Sequence, residues 1–122
     1  MMISMKRMFL IVSSAAMLLL LAGCGKPPKR TDAELGLNAQ QARGRRVFQV
    51  YCSSCHHAYS SAGSKGPSLK RLFKKRYLPS GLPANDRFVR QTILGGRGMM
   101  PGFGGVLTEK QFNNLMAYLH TL

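Results

Sequence analysis

The chain has 122 residues, which suits one small domain with a single core and leaves no room for a second. Lys and Arg number 18 against only 4 Asp and Glu, a formal net charge of +14 that favours acidic partners or anionic lipid head groups. The same charge would suit nucleic acid, but the first residues form an export signal that carries the chain away from it, so no nucleic-acid partner is expected.

Residues 1–23 read as that signal in three parts. Lys6 and Arg7 supply the positive start, and Met8 to Leu21 is an apolar run interrupted only by Ser13 and Ser14. The run is short of the roughly 20 residues that a spanning helix needs, which favours a cleaved signal over a retained anchor. Leu21-Ala22-Gly23-Cys24 resembles the bacterial lipobox, which makes Cys24 the lipidated first residue of a protein anchored to a membrane and facing the periplasm or another extracytoplasmic space. Two or more acyl chains hold a protein there for long periods, each buried CH₂ contributing about 0.8 kcal/mol. Residues 24–37, with Gly25, Pro27 and Pro28 among Lys26, Lys29 and Arg30, read as a flexible tether, and 38–122 as the folded domain.

Asn38 with Gln41 opens a first helix in which Ala42, Val47, Phe48 and Tyr51 recur at helical spacing up to Cys52. Ser53 to Gly66 is rich in Ser and Gly and reads as loop after a brief helical turn at the cysteines. Beyond Pro67, Leu69, Leu72, Phe73 and Tyr77 place an apolar stripe on a second helix, with Lys70, Arg71, Lys74 and Lys75 on other faces and Pro79, Gly81 and Pro83 ending it. Asp86 is the expected cap of a third helix that carries Phe88, Val89, Thr92 and Ile93 on one side and ends near Gly95 and Gly96. A glycine-rich loop runs to Gly105. Thr108 with Gln111 forms a capping box for the last helix, whose apolar face is Phe112, Leu115, Met116 and Leu119. No segment alternates as a strand does, so the expected fold is all-α with about four helices.

Cys52-Ser53-Ser54-Cys55-His56 has the spacing of c-type haem attachment. Two thiols at i and i+3 on one turn reach the two vinyl groups along one porphyrin edge, and His56 can swing its imidazole under the iron as proximal ligand. Two other readings of these residues stay open. A redox disulfide between Cys52 and Cys55 would ordinarily sit in a βαβ pattern, which the sequence lacks, and a zinc site needs four ligands where only His57 and His120 remain.

Around these residues, over roughly 38–122, the chain resembles the class I cytochromes c, small monohaem electron carriers, here in lipoprotein form. Gly44-Arg45-Arg46-Val47-Phe48 is similar to the family's first helix and Leu115-Met116-Ala117-Tyr118-Leu119 to its last; the resemblance implies a close crossing in which Gly44 and Phe48 meet Leu115 and Tyr118. Gly95-Gly96-Arg97-Gly98-Met99-Met100-Pro101-Gly102-Phe103 resembles the distal loop, where a methionine directly before proline is the sixth iron ligand, which implies Met100 rather than Met99. Gly66-Pro67-Ser68-Leu69 resembles the proximal segment, implying that the Pro67 carbonyl accepts a hydrogen bond from His56. The chain has no Trp, a residue many members place beside a haem propionate, and Arg97 and Tyr77 are the candidates in its place. The resemblance implies an all-α domain wrapped around one covalently attached haem c with His/Met ligation. Such a protein is a monomeric electron carrier and no enzyme. Its partners are redox proteins acidic at the docking face: an oxidase, a quinol-oxidising complex or a dehydrogenase. The alternative is a haem-based sensor or peroxidase-like protein with a labile sixth ligand.

Overall fold

Local side-chain chemistry fixes where each α-helix among the described residues begins. In the computed structural model, which describes residues 29–122, α1 spans Ala39–Tyr51, α2 Asp86–Gly95 and α3 Glu109–Leu119. The expected signal and Cys24 lie outside the described residues. At α1 the Asn38 side chain accepts from the Gln41 backbone N–H, and the Gln41 side chain accepts from the Asn38 N–H, both at 2.9 Å. Thr108 and Gln111 repeat the arrangement at α3, at 3.2 and 2.9 Å. Each box satisfies donors that a helix start leaves unpaired. Asn38→Ala or Thr108→Ala is expected to cost about 1 kcal/mol, read as a lower urea midpoint at unchanged slope.

α2 is capped one residue earlier than expected. Asn85, not Asp86, accepts from the Phe88 N–H at 3.1 Å. Asp86 becomes the first helical residue, where its carboxylate meets the positive helix end, and it also stands 2.9 Å from His120 Nε2. The helix stops at Gly96, whose φ of 73° belongs to the left-handed region that glycine adopts freely.

The expected second helix is only a 3₁₀ turn, Leu72–Lys74. Two physical causes act against a longer helix. Lys70, Arg71, Lys74 and Lys75 would stand three and four residues apart on a helix surface and repel one another. The backbone is also committed elsewhere: the Leu69 N–H donates to the His57 carbonyl at 2.9 Å, and Arg71 turns to φ 56° and ψ 38°. Leu72 still reaches the core from this turn. The all-α class therefore holds, with three α-helices among the described residues.

Residues 31–37, expected as tether, are folded instead. The Glu34 carboxylate accepts from the Thr31 N–H at 2.6 Å while the Glu34 N–H donates to Thr31 Oγ1 at 3.2 Å, a further capping-box pattern. Asp32 receives a hydrogen bond from Arg45 at 2.6 Å, and Leu37 packs on the core. Thr31–Leu122 forms one unit.

The apolar stripes meet in a core of Val47 and Phe48 from α1, Val89 and Ile93 from α2, and Phe112, Leu115, Tyr118 and Leu119 from α3. α1 and α3 cross at Gly44, where an added Cβ would stand 1.8 Å from the Asn114 carbonyl oxygen and 2.8 Å from Tyr118 Cβ. A missing side chain is what lets the backbones approach. Beside this point the Phe48 and Tyr118 rings lie 5.5 Å apart at 55°. The Tyr118 hydroxyl donates to that of Tyr59 at 2.9 Å, and His120 stacks on Phe73 with ring centroids 4.0 Å apart, so α3 ties down both irregular segments. Among the described residues no helix is long and apolar enough to cross a membrane.

Candidate haem site

The last turn of α1 runs directly into the cysteines. The Phe48 carbonyl accepts from both the Cys52 and Ser53 N–H groups at 2.9 Å, and the Cys52 carbonyl accepts from Cys55 at 3.1 Å and from His56 at 2.9 Å. Cys52, Cys55 and His56 thus share one turn that continues the helix. Both cysteines are free thiols, each partly buried. Burial, with a smaller contribution from Cys55 beside it, pushes the Cys52 thiol from 9.0 up to about 11, so it is protonated at neutral pH. An environment that resists the thiolate makes Cys52 a poor attacking group, whereas a neutral thioether meets no such penalty. Among the described residues no three His, Cys, Asp or Glu side chains are grouped to hold a metal ion.

His56 is pinned from the side. Its Nδ1 lies 2.8 Å from the Pro67 carbonyl, which can only accept, so Nδ1 carries the proton and Nε2 keeps its lone pair for a metal. Pro67 is placed by Gly66, whose N–H donates to the Cys55 carbonyl at 2.8 Å. A Cβ on Gly66 would fall 2.5 Å from His56 Cε1 and 2.9 Å from Nδ1, so this position needs glycine for the imidazole to lie against the backbone. The sequence points to the Gly-Pro pair, but nothing in it reveals that the glycine touches the ring. His57 is exposed, as its sequence position suggests.

Met100 is placed by the loop after α2. Arg97 and Met100 exchange backbone hydrogen bonds at 3.0 Å in both directions, closing a turn around Gly98 at φ 57°. The Phe103 N–H donates to the Ile93 carbonyl at 2.9 Å and the Gly104 N–H to that of Leu94 at 3.1 Å, which folds the loop back onto α2. The Phe103 ring meets Tyr51 edge-on at 6.0 Å, bringing the loop to the end of α1 where the cysteine turn starts. The two methionines are sorted by this geometry: Met100 packs against the core, while Met99 is 87% exposed.

These residues fit a covalently held haem. The donor set comprises two thiols on one turn and an imidazole whose free nitrogen is fixed by a carbonyl, and Gly66 offers backbone where a side chain would strike the imidazole. Half-buried Leu69, Leu94, Met100 and Phe103 add apolar surface from the segments on either side of the turn.

Comparison with known proteins agrees. Residues 39–119 match the family model described as cytochrome c oxidase, cbb3-type, subunit III. Cytochrome c6 of a Picosynechococcus species is 32% identical over 84 residues, covering 66% of this chain and 72% of that protein. Cytochrome c6 of a Synechococcus species is 31% identical over 81 residues, covering 66% and 69%. Cytochrome c6 of Thermosynechococcus vestitus is 29% identical over 115 residues, covering 94% and 91%. By its family match, its relatives and its attachment turn alike, the chain belongs to the class I c-type cytochromes, electron-transfer proteins rather than enzymes, with haem c bound covalently through Cys52 and Cys55.

Proposed function

We propose that this cytochrome is a lipid-anchored, extracytoplasmic carrier of single electrons whose haem iron is held between His56 and Met100. The observation that carries the reading is the 2.8 Å contact between His56 Nδ1 and the Pro67 carbonyl, which frees Nε2 and fixes the ring. When bound, haem c supplies a one-electron couple at its iron. The residues of the chain set the terms. Cys52 and Cys55 fix the porphyrin edge, and the Pro67 carbonyl orients His56 and raises its basicity as a ligand. Met100 offers a soft, neutral thioether that favours the ferrous state, while the core keeps water from the ring. His56 and Met100 would both bind the iron, which would leave no coordination position for a substrate. Residues 1–23 direct export, Cys24 carries the lipid, and the residues up to Arg30 act as the tether. The partners are redox proteins with an acidic docking face, of the oxidase, quinol-oxidising or dehydrogenase kind, met by a monomer.

The test is to replace each methionine in the matured protein. Met100→Ala is expected to let the ferrous protein bind carbon monoxide under mild conditions and to lower the reduction potential, whereas Met99→Ala changes neither. Carbon monoxide binding by the unaltered protein under those same conditions would replace the carrier with the sensor or peroxidase-like alternative. Docking guided by charge has its own signature: reduction by an acidic partner slows steeply as salt shortens the screening length, which is about 10 Å at 0.1 M. A flat salt profile would remove the acidic docking face from the proposal.

A further inference from the structure

The four carboxylates of this chain are all engaged away from its densest positive stretch. Asp32 pairs with Arg45, Asp86 with His120 and Glu109 with Arg90, while Glu34 accepts from Thr31. Among the described residues no ion pair reaches Lys70, Arg71, Lys74 or Lys75. These four cations line one open groove of about 400 Å³ together with Ser61 and Ser68. The groove is built by contacts across the chain. Lys70 Nζ lies 3.4 Å from Ser61 Oγ, the Lys70 N–H donates to Ser68 Oγ at 3.2 Å, and Lys75 Nζ donates to the Ser68 carbonyl at 2.8 Å. Ser68 Oγ in turn donates to the Ser60 carbonyl, joining the two walls.

Arg71 adds an independent sign. Its φ of 56° makes it the sole non-glycine residue in the left-handed region among the described residues. Glycine would adopt that backbone freely, yet the position holds a guanidinium on the groove wall. An ordinary solvated helix face has no need of this arrangement, because its cations spread outward from regular backbone.

We infer that this groove is a binding site for a phosphate group carrying two negative charges, whether free inorganic phosphate or the phosphomonoester head group of a lipid. A tetrahedral oxyanion accepts hydrogen bonds on several sides at once, which matches the cations of one segment facing the Ser61 hydroxyl of another, whereas a flat carboxylate presents two oxygens in one plane. The groove shares no residue with the haem attachment and stands however the iron is ligated.

The reduced, matured holoprotein in detergent, followed through its backbone amide resonances, gives the test. Inorganic phosphate added at constant ionic strength is expected to produce saturating shifts at Ser61, Ser68 and Lys70 to Lys75, where sodium chloride does not. Lys70→Gln combined with Lys74→Gln weakens the binding by about tenfold. Arg71→Gly, which relieves the backbone, weakens it as well and keeps the fold. Micelles doped with phosphatidic acid, in phosphate-free buffer, separate the sources. Shifts of the same amides at lower phosphate content than in free solution assign the head group, and the reverse assigns the free ion. Shifts that never saturate, that spread equally to Arg43, Arg87 and Lys110, or that persist unchanged in the double variant overturn the site.

Discussion

Replacing Cys52 and Cys55 together with alanine is expected to leave a chain that carries no haem through denaturing electrophoresis and shows no cooperative thermal transition by circular dichroism. The reason lies in how little core the protein builds alone. Its largest fully buried side chains, Tyr118, Phe112 and Leu115, all belong to α3. Apolar groups contributed by other segments, Leu69, Leu78, Leu94 and Phe103 among them, are only partly covered by protein atoms. A domain this small has a narrow margin between buried apolar area and lost chain entropy, and a large covalently held ring supplies the missing contacts. The two thioethers also join the end of α1 to whatever the ring touches. A cooperative transition in the haem-free variant would show that the polypeptide folds on its own core and would sink this account.

Gly44→Ala should be the most damaging single substitution at the helix crossing. The added carbon would stand 1.8 Å from the Asn114 oxygen and 2.5 Å from its carbonyl carbon, both backbone atoms that no rotamer change can move. Relief requires α1 and α3 to separate, which loosens Phe48 against Tyr118 and uncovers Leu115, a residue with 0% exposure. The expected loss is about 3 kcal/mol or more. For a domain of this size that corresponds to a fall in Tm of roughly 12–24 °C. Gly105→Ala is the control, since a Cβ there meets nothing within 4 Å and the backbone is not left-handed. Equal Tm values for the two variants would mean that the crossing is looser than the structure shows.

The features legible in the sequence were those written in neighbouring residues. Both capping boxes, Asn38 with Gln41 and Thr108 with Gln111, depend on side chains three positions apart and stand where the pattern places them. The attachment turn is equally local. The 69–77 segment misleads because its apolar spacing is helical while its fate is set by the His57 carbonyl and by Arg71 backbone geometry, neither of which periodicity reports. At α2 the cap is shifted by one because Asn85 and Asp86 are both good caps and only three-dimensional structure chooses between them. The Thr31–Glu34 box lies in a stretch whose few apolar residues conceal it. Contacts that join distant segments, such as Tyr59 with Tyr118 and Phe73 with His120, carry no sequence signature at all. At the site, the thiols and His56 are readable by spacing, while the Gly66 contact with the imidazole belongs to the folded chain alone.

The confinement of Asp32, Glu34, Asp86 and Glu109 to local partners shapes how these molecules meet one another. Each of these carboxylates already has a partner within its own chain, and with basic residues far outnumbering acidic ones two copies repel as they approach. Self-exchange between reduced and oxidised twins is thereby discouraged at low ionic strength, and electron traffic is steered toward molecules of unlike charge.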